Sequence, residues 1–378
     1  MIATTRPPFR ADAVGSYLRS DRIHEARAQH AAARIDDAEL RRIENAEITE
    51  LITAQERLGL EAVTDGEFRR AYWHFDFFDG LDGVELGQAD TGMTFHGSTM
   101  KPLGVRVTGP LGFSADHPML AHFAFLQQNT DRVAKMTIPS PTVLHFRLDT
   151  AAVNTEVYGS RDALFDDLAA AYRDAVAAFY AAGCRYLQFD DTAWAYLCSD
   201  DELTKARERG LDVDGIQQAY VDLINASIRD KPADMVITTH VCRGNFKSGW
   251  ISSGGYEPVA QSLLAGCDYD GYFLEYDSER AGGFEPLRFL PEGDKVVVLG
   301  LITSKSGELE SSALVKQRIA EAARFAPLRQ LALSAQCGFA STEEGNTLSV
   351  AEQWAKTREI IEIAADVWGG TGAPGDIE

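Results

Sequence analysis

The chain has 378 residues, 45% hydrophobic and 25% charged, an ordinary balance for a globular protein with a large buried core. It holds no uncharged apolar run of about 18 residues, which argues against a membrane-spanning helix, and its N-terminus lacks the apolar core of a secretory signal, so a cytoplasmic location is expected. A formal net charge of −21 repels phosphate backbones and excludes nucleic acid as an expected partner.

Strand-like and helix-like segments alternate along the chain. Residues 9–16 read as a first short strand ending in Val14-Gly15-Ser16-Tyr17. Residues 35–58 carry Leu40, Ile43, Ile48, Leu51, Ile52 and Leu58 at helical spacing. Residues 61–67 are a second strand and its loop. Residues from about 80 to 125 break the rhythm. They are Gly-rich, with β-type runs at Thr94-Phe95-His96 and Gly104-Val105-Arg106-Val107, and read as an inserted hairpin too small to bury a core of its own. The third strand, 135–138, ends at Pro139-Ser140-Pro141, where Ser140 reads as a turn residue. Residues 160–183 form an amphipathic helix with a Ser start and a Gly stop.

The fourth strand, 185–189, ends in Asp190-Asp191, and a helical stretch at 214–228 leads to the fifth, 235–239. The sixth, 270–274, ends in Glu275, and the seventh spans 295–301. A helix at 312–325 precedes the eighth strand, 330–334, which ends in Gln336-Cys337-Gly338. A helix at 349–364 closes the pattern, with Ser349 and Glu352 spaced as a capping box. Alternating βα units imply a parallel sheet, and eight of them point to a (β/α)8 TIM barrel of the α/β class. The expectation is one catalytic domain over 1–378, with a β-hairpin excursion inserted after the second strand. An open doubly wound sheet is the alternative. No Gly-x-Gly-x-x-Gly joins a strand to a helix, which counts against its dinucleotide-binding form.

Five cysteines, odd in number and widely spaced, argue against a disulfide framework. Cys184 and Cys267 follow glycines just before strands and read as small buried hydrophobes. Cys242 and Cys337 differ, because each follows a strand.

In such barrels the active site forms at the C-terminal strand ends. Polar residues gather there: Ser16, Glu67, Ser140, Asp190 with Asp191, His240 with Cys242, Glu275, Lys305 and Cys337. Residues two apart on a strand point to one side, so His240 and Cys242 aim an imidazole and a sulfur at one place. With Glu275 and Cys337 they make an N, S, O, S set suited to tetrahedral Zn2+. Two thiolates already donate much charge, so such a site suits holding a substrate thiol as thiolate better than making hydroxide. If Glu275 steps back, the substrate sulfur can take its place, and alkyl transfer to a thiol is the expected reaction. A barrel-type zinc hydrolase is disfavoured, because residues 9–17 contain no histidine.

Over nearly its whole length the chain resembles the catalytic barrel of cobalamin-independent methionine synthase. The segments Ala13-Val14-Gly15-Ser16, Asp65-Gly66-Glu67-Phe68, Gln188-Phe189-Asp190-Asp191, His240-Val241-Cys242 and Gln336-Cys337-Gly338-Phe339 carry the resemblance. It is more similar to the short, single-barrel (methionine synthase II-like) members. They share His240-Val241-Cys242-Arg243-Gly244-Asn245, Glu275-Tyr276-Asp277, Leu299-Gly300-Leu301 with Ser304-Lys305, and Ala340-Ser341-Thr342 with Gly345-Asn346.

The resemblance implies a TIM barrel and zinc ligands His240, Cys242, Glu275 and Cys337. It implies that Gly15, Ser16, Glu67 and Asp190 hold the amino-acid part of homocysteine, with a methyl donor as second partner, in methionine biosynthesis. Lys305 stands where the long enzymes carry a histidine that protonates the leaving group, so Lys305 and Asp190 are the implied catalytic residues. The long enzymes also carry a second, N-terminal barrel that helps to hold a polyglutamyl folate, and 378 residues leave no room for it. The donor is therefore open between a methylated folate and another methyl compound.

Epoxyalkane:coenzyme M transferases resemble the same barrel, but their sulfonate-bearing thiol needs cations. Arg19, Arg69, Arg70, Arg243, Lys247 and Lys305 are the candidates, while Glu67 and Asp190 favour an amino-acid thiol. A non-catalytic thiol- or zinc-binding barrel is a further alternative. Trp73, Phe75, Trp194 and Tyr196 are candidates for the donor side, and residues 243–255 for a mobile lid. A homo-oligomer is compatible with all of this.

Overall fold

The structure is a computed structural model and describes residues 6–88, 92–148 and 156–373. Both ends of the expected 1–378 domain and residues 89–91 of its insertion lie outside the described residues. In chain order the strands are β1 (Ala62–Val63), β2 (Leu81–Gln88), β3 (Thr94–Phe95), β4 (Ser98–Thr99), β5 (Leu103–Phe113), β6 (Val133–Pro139), β7 (Tyr186–Asp191), β8 (Val236–Val241), β9 (Gly271–Glu275), β10 (Val296–Ile302) and β11 (Leu331–Ala335). Seven of them form one curled sheet in the order β1-β6-β7-β8-β9-β10-β11, and every pair in it is parallel. Strand β10 reads Val-Val-Val-Leu-Gly-Leu-Ile and is buried throughout. Such unbroken apolar runs belong to sheets covered on both faces. None of the helices among the described residues is long and apolar enough to cross a membrane.

The expected helices are present with small shifts. Arg161–Ala181 starts on Ser160, whose side chain accepts from the Ala163 N–H. Val350–Trp368 carries the predicted Ser349–Glu352 capping box. A further helix, Asp21–Ala31, was not expected. Only Ile23 and Ala26 of it are buried, so no apolar period marks it in the sequence.

Residues 9–16 depart from the expected regular strand. They make two isolated parallel bridges, Ala11 to Leu333 and Ser16 to Gly66, one towards each edge of the sheet. The reason is diverted donors. Pro7 and Pro8 have no N–H. The Arg10 N–H donates to the carbonyls of Thr371 and Gly372 at 3.1 and 3.0 Å, and the Phe9 and Ala13 N–H groups donate to the Asp12 carboxylate.

The insertion is a long antiparallel pair, β2 with β5, tipped by the small β3–β4 hairpin. The tip rests on the loop after β8. The His96 N–H donates to the Trp250 carbonyl at 2.8 Å, and their rings stack with centroids 4.5 Å apart. Phe95 packs on Phe246 at 5.3 Å. This excursion therefore forms a wall above the C-terminal ends of the strands.

Candidate active site

Strands β7 and β8 pair Asp190 with His240, so carboxylate and imidazole arrive side by side. The fifth strand of the sequence pattern thus runs further than 235–239, and His240 lies inside β8 with Cys242 just beyond it. Cys337 enters from the turn after β11. Gly300 permits this: a Cβ there would meet the Gln336 Cα at 2.7 Å. Among the described residues, His240, Cys242 and Cys337 form a buried group whose ligand atoms all lie within 4.8 Å of one another.

The two sulfurs are 2.8 Å apart, and the Gly244 N–H points at the Cys242 sulfur at 3.3 Å. The hydrogen bond from Cys337, helped by His240, pulls the Cys242 thiol below its ordinary range. Burial, with the neighbouring Cys242, pushes Cys337 well above it. His240 sets Nε2 3.0 Å from the Gln336 carbonyl and Nδ1 3.4 Å from Asp190. Burial alone would lower its pKa, but Asp190, Cys242 and the Gln336 carbonyl outweigh burial and raise it. One nitrogen and two sulfurs fit zinc held by three protein ligands, the pattern of catalytic sites with an open fourth position. A bound metal would require both sulfurs as thiolates and one imidazole nitrogen free of its proton.

Glu275 is not brought into this group. It is fully buried, and its carboxylate accepts from the Arg243 N–H at 3.0 Å and from Arg280 at 3.3 Å. Arg243 is itself buried, with its guanidinium on the Gly254 carbonyl at 2.7 Å and the Tyr256 hydroxyl at 2.8 Å. The segment 243–255, expected as a mobile lid, is thus stapled at both ends. Lys305 holds its middle, donating to the Gly244 carbonyl at 2.8 Å, Asn245 Oδ1 at 3.2 Å and the Gly249 carbonyl at 3.4 Å. The ammonium is spent on the loop, and Lys305 is not among the residues that line the cleft.

A cleft with an empty volume of about 600 Å³ reaches the Cys242 sulfur, lined by Ser16, Glu67, Asp190, His240 and Cys242 among others. Glu67 has a φ of +59°, a strained left-handed backbone held by Arg19, which donates to its carbonyl at 2.7 Å. Thr137 donates to Glu67 Oε1 at 2.9 Å, while Oε2 is buried without a partner. Burial, more than the nearby Asp190, raises the Glu67 pKa to about 7 against the opposing pull of Arg70. Gly15 makes room for this contact: a Cβ there would lie 2.8 Å from Thr137 Cγ2 and 3.2 Å from Glu67 Oε1. Gln188 fixes Asp190, donating to its Oδ1 at 2.7 Å and to the Val14 carbonyl at 2.8 Å. Ser16 Oγ accepts from the Ala340 N–H at 3.2 Å.

Other expectations divide. Trp73 and Tyr196 line the cleft, whereas Phe75 and Trp194 are buried in the core. Ser140 stands at the N-cap position of the helix Pro141–Arg147, with its hydroxyl 3.0 Å from that of Thr142, and serves structure. Asp191 is taken up by Thr142 and the Ala193 N–H, and burial raises its pKa to about 6. Of the cations weighed for a sulfonate, none lines the cleft; Arg147, which was not weighed, does. Sequence reading also missed His74 and the hairpin side chains Met93, Phe95 and Met100. The one available signal was Trp73-His74, an aromatic pair close behind the Glu67 loop.

A curled parallel sheet with a buried His–Cys–Cys group at its strand ends defines an α/β protein built to place a metal against a ligand cleft. Residues 9–359 match the family model of the cobalamin-independent synthase catalytic domain, and the chain belongs to that family, whose members are zinc-dependent methyltransferases. It is 50% identical over 365 residues to YxjG of Bacillus subtilis, described as uncharacterized, covering 96% of each chain. It superposes with a TM-score of 0.78 on a Listeria monocytogenes protein described as a candidate vitamin-B12 independent methionine synthase, at 45% identity over 96% of this chain and 99% of that one. A B12-independent methionine synthase from Shewanella sp. W3-18-1, solved with selenomethionine, shares the fold at a TM-score of 0.71 and 18% identity, over 95% of this chain and 98% of that one.

Proposed function

We propose that the chain transfers a methyl group to the thiol of homocysteine and so makes methionine. The observation that carries this is one cleft lined both by His240 and Cys242 of the buried His–Cys–Cys group and by Glu67, whose Oε2 has no partner. The first suits a thiol substrate and the second an ammonium. We read the chain as a single closed (β/α)8 barrel, with residues 9–16 as the stave between β11 and β1. The two bridges from Ala11 and Ser16 support that reading.

His240, Cys242 and Cys337 would hold the zinc. When bound, zinc supplies the positive charge that keeps a substrate sulfur ionised at neutral pH. Glu275, tethered by Arg243 and Arg280, is the reserve ligand that yields to substrate. Glu67 and Asp190 take the ammonium, and the turn at Gly15 and Ser16 takes the carboxylate. Gln188 keeps Asp190, and through it His240, in place. The substrate sulfur attacks the donor methyl carbon. The new C–S bond forms as the methyl–donor bond breaks, its electron pair stays on the donor, and the donor gains one proton for the one the thiol releases.

The deciding experiment is a panel of thiols against methyl donors on zinc-replete protein, with Cys337→Ser as control. The expected result is alkylation of homocysteine, with zinc and activity both lost in the variant. Methylation of another thiol but not homocysteine, or zinc binding with no alkylation at all, refutes the proposal. A variant that keeps zinc and activity refutes the ligand assignment.

A further inference from the structure

An ion pair lies buried within the sheet, away from the thiol chemistry. Lys135 of β6 and Asp12 of the irregular 9–16 segment are 3.3 Å apart, and both side chains are 0% exposed. Their surroundings are apolar. Phe9, Val14, Phe273, Val298 and Ala332 pack in one cluster, and the Lys135 ammonium stands 3.9 Å from the centre of the Phe273 ring. Replacing such a pair by apolar residues of similar size is often neutral for stability, so its presence calls for another reason.

That reason lies in what the pair holds. The 9–16 segment has two isolated bridges in place of a strand ladder, so side chains must fix it. Asp12 Oδ2 accepts from the Phe9 N–H at 3.1 Å and from the Tyr186 hydroxyl at 2.8 Å. Asp12 Oδ1 accepts from the Ala13 N–H at 2.8 Å. Lys135 reaches past the carboxylate and donates to the Ala13 carbonyl at 2.5 Å. The clamp thus grips the backbone just before Gly15 and Ser16. Lys135 and Tyr186 are partners across β6 and β7. Two residues on, and on the same faces, stand Thr137 and Gln188. Thr137 holds Glu67, and Gln188 holds the Val14 carbonyl and Asp190. A column of polar contacts therefore joins the clamp to the groups that line the cleft.

We propose that Lys135 and Asp12 are positioning residues for the acceptor: the pair sets the height of the 9–16 segment and so places Gly15 and Ser16 against the amino-acid part of the substrate. This rests on the acceptor reading given above. An apolar pair would fill the same space, but it would leave the Ala13 carbonyl and the donors on Asp12 unanswered. The segment has no ladder to keep it in register without them. A displacement of about 1 Å in a positioning group can lower its effect on the order of 100-fold.

The test uses the full-length, zinc-loaded protein. Homocysteine binding is read by calorimetry, zinc affinity by chelator competition and stability by thermal melting. The double variant Asp12→Asn/Lys135→Met removes both charges and strands neither partner. It is expected to bind homocysteine roughly 10- to 100-fold more weakly, with zinc affinity within about threefold of wild type. Tyr186→Phe removes one hydrogen bond to Asp12 and is expected to weaken homocysteine roughly 2- to 10-fold. Ile319→Ala, a buried change in the helix Ser312–Ala322, is the stability control. It should lower the melting temperature and leave homocysteine affinity unchanged. The inference is overturned if the double variant binds homocysteine like wild type, if its zinc affinity falls in step, or if Ile319→Ala loses as much affinity. Should the double variant fail to fold, Tyr186→Phe decides, and unchanged homocysteine binding at any melting temperature overturns the inference. If wild type itself does not bind homocysteine, the acceptor reading fails and this inference with it. Unchanged variants beside a wild type that binds overturn this inference alone.

Discussion

Replacing Glu67 by Gln removes a charge from a place poorly suited to hold one. The carboxyl is 4% exposed, has one oxygen without a partner, and has its pKa raised from the usual 4.5 to about 7, chiefly by burial. A carboxyl raised on folding costs stability in its ionised form. That cost is absent below the unfolded pKa, grows as pH rises from about 4.5, and is complete above about 7. At about 1.4 kcal/mol per unit the upper bound is about 3 kcal/mol. Gln keeps an acceptor for Thr137 but gives up the attraction of Arg70, 3.9 Å away, so about 1–3 kcal/mol is the expected gain.

Thermal unfolding at pH 8 should therefore show Glu67→Gln melting about 1–4 °C above wild type. At pH 4 the difference should vanish. The same change removes the partner of the substrate ammonium, so the KM for homocysteine should rise roughly 100-fold or more. Equal melting curves at both pH values would refute the burial argument. An unchanged KM would refute the ammonium-binding role, whatever the melting curves show.

Three further substitutions probe the surroundings. Gly15→Ala drives a methyl group against Thr137 and Glu67, and should cost about 1–3 kcal/mol of stability and raise the homocysteine KM; normal melting and kinetics would count against the close approach. Gln188→Leu frees Asp190 and should lower zinc affinity or activity about 10- to 100-fold, read by chelator competition and steady-state rates; no change in either would remove Gln188 from the site. Lys305→Met should lower kcat about tenfold by loosening the loop at 244–249, with the shape of the pH–rate profile kept. Loss of one limb of that profile would instead restore Lys305 as a proton donor.

Much of this arrangement is legible along the chain because parallel strands repeat a local rule. Apolar runs such as Val296–Ile302 announce themselves, and the polar residues that follow them gather at one end of the sheet. His240 and Cys242 are two apart on one strand, so their shared direction follows from backbone geometry alone. Cys337 could be added because it closes the last strand. Residues 9–16 were harder. Their donors go to Asp12 and to the turn at Thr371 and Gly372, and no local pattern records partners so distant.

The direction in which a side chain is spent was not legible either. Glu275 stands at a strand end like the other candidates, yet the Arg243 amide and Arg280 claim its oxygens. Lys305 stands at another, yet three loop oxygens claim its ammonium. His74 and Arg147 share no spacing, and only the walls of the cleft bring them together. The sequence by itself determined the βα alternation and the shared direction of His240 and Cys242, because each follows from residue type and short-range periodicity. Tertiary structure alone decided which charged groups face the cleft, because burial makes each polar atom take the nearest partner in space.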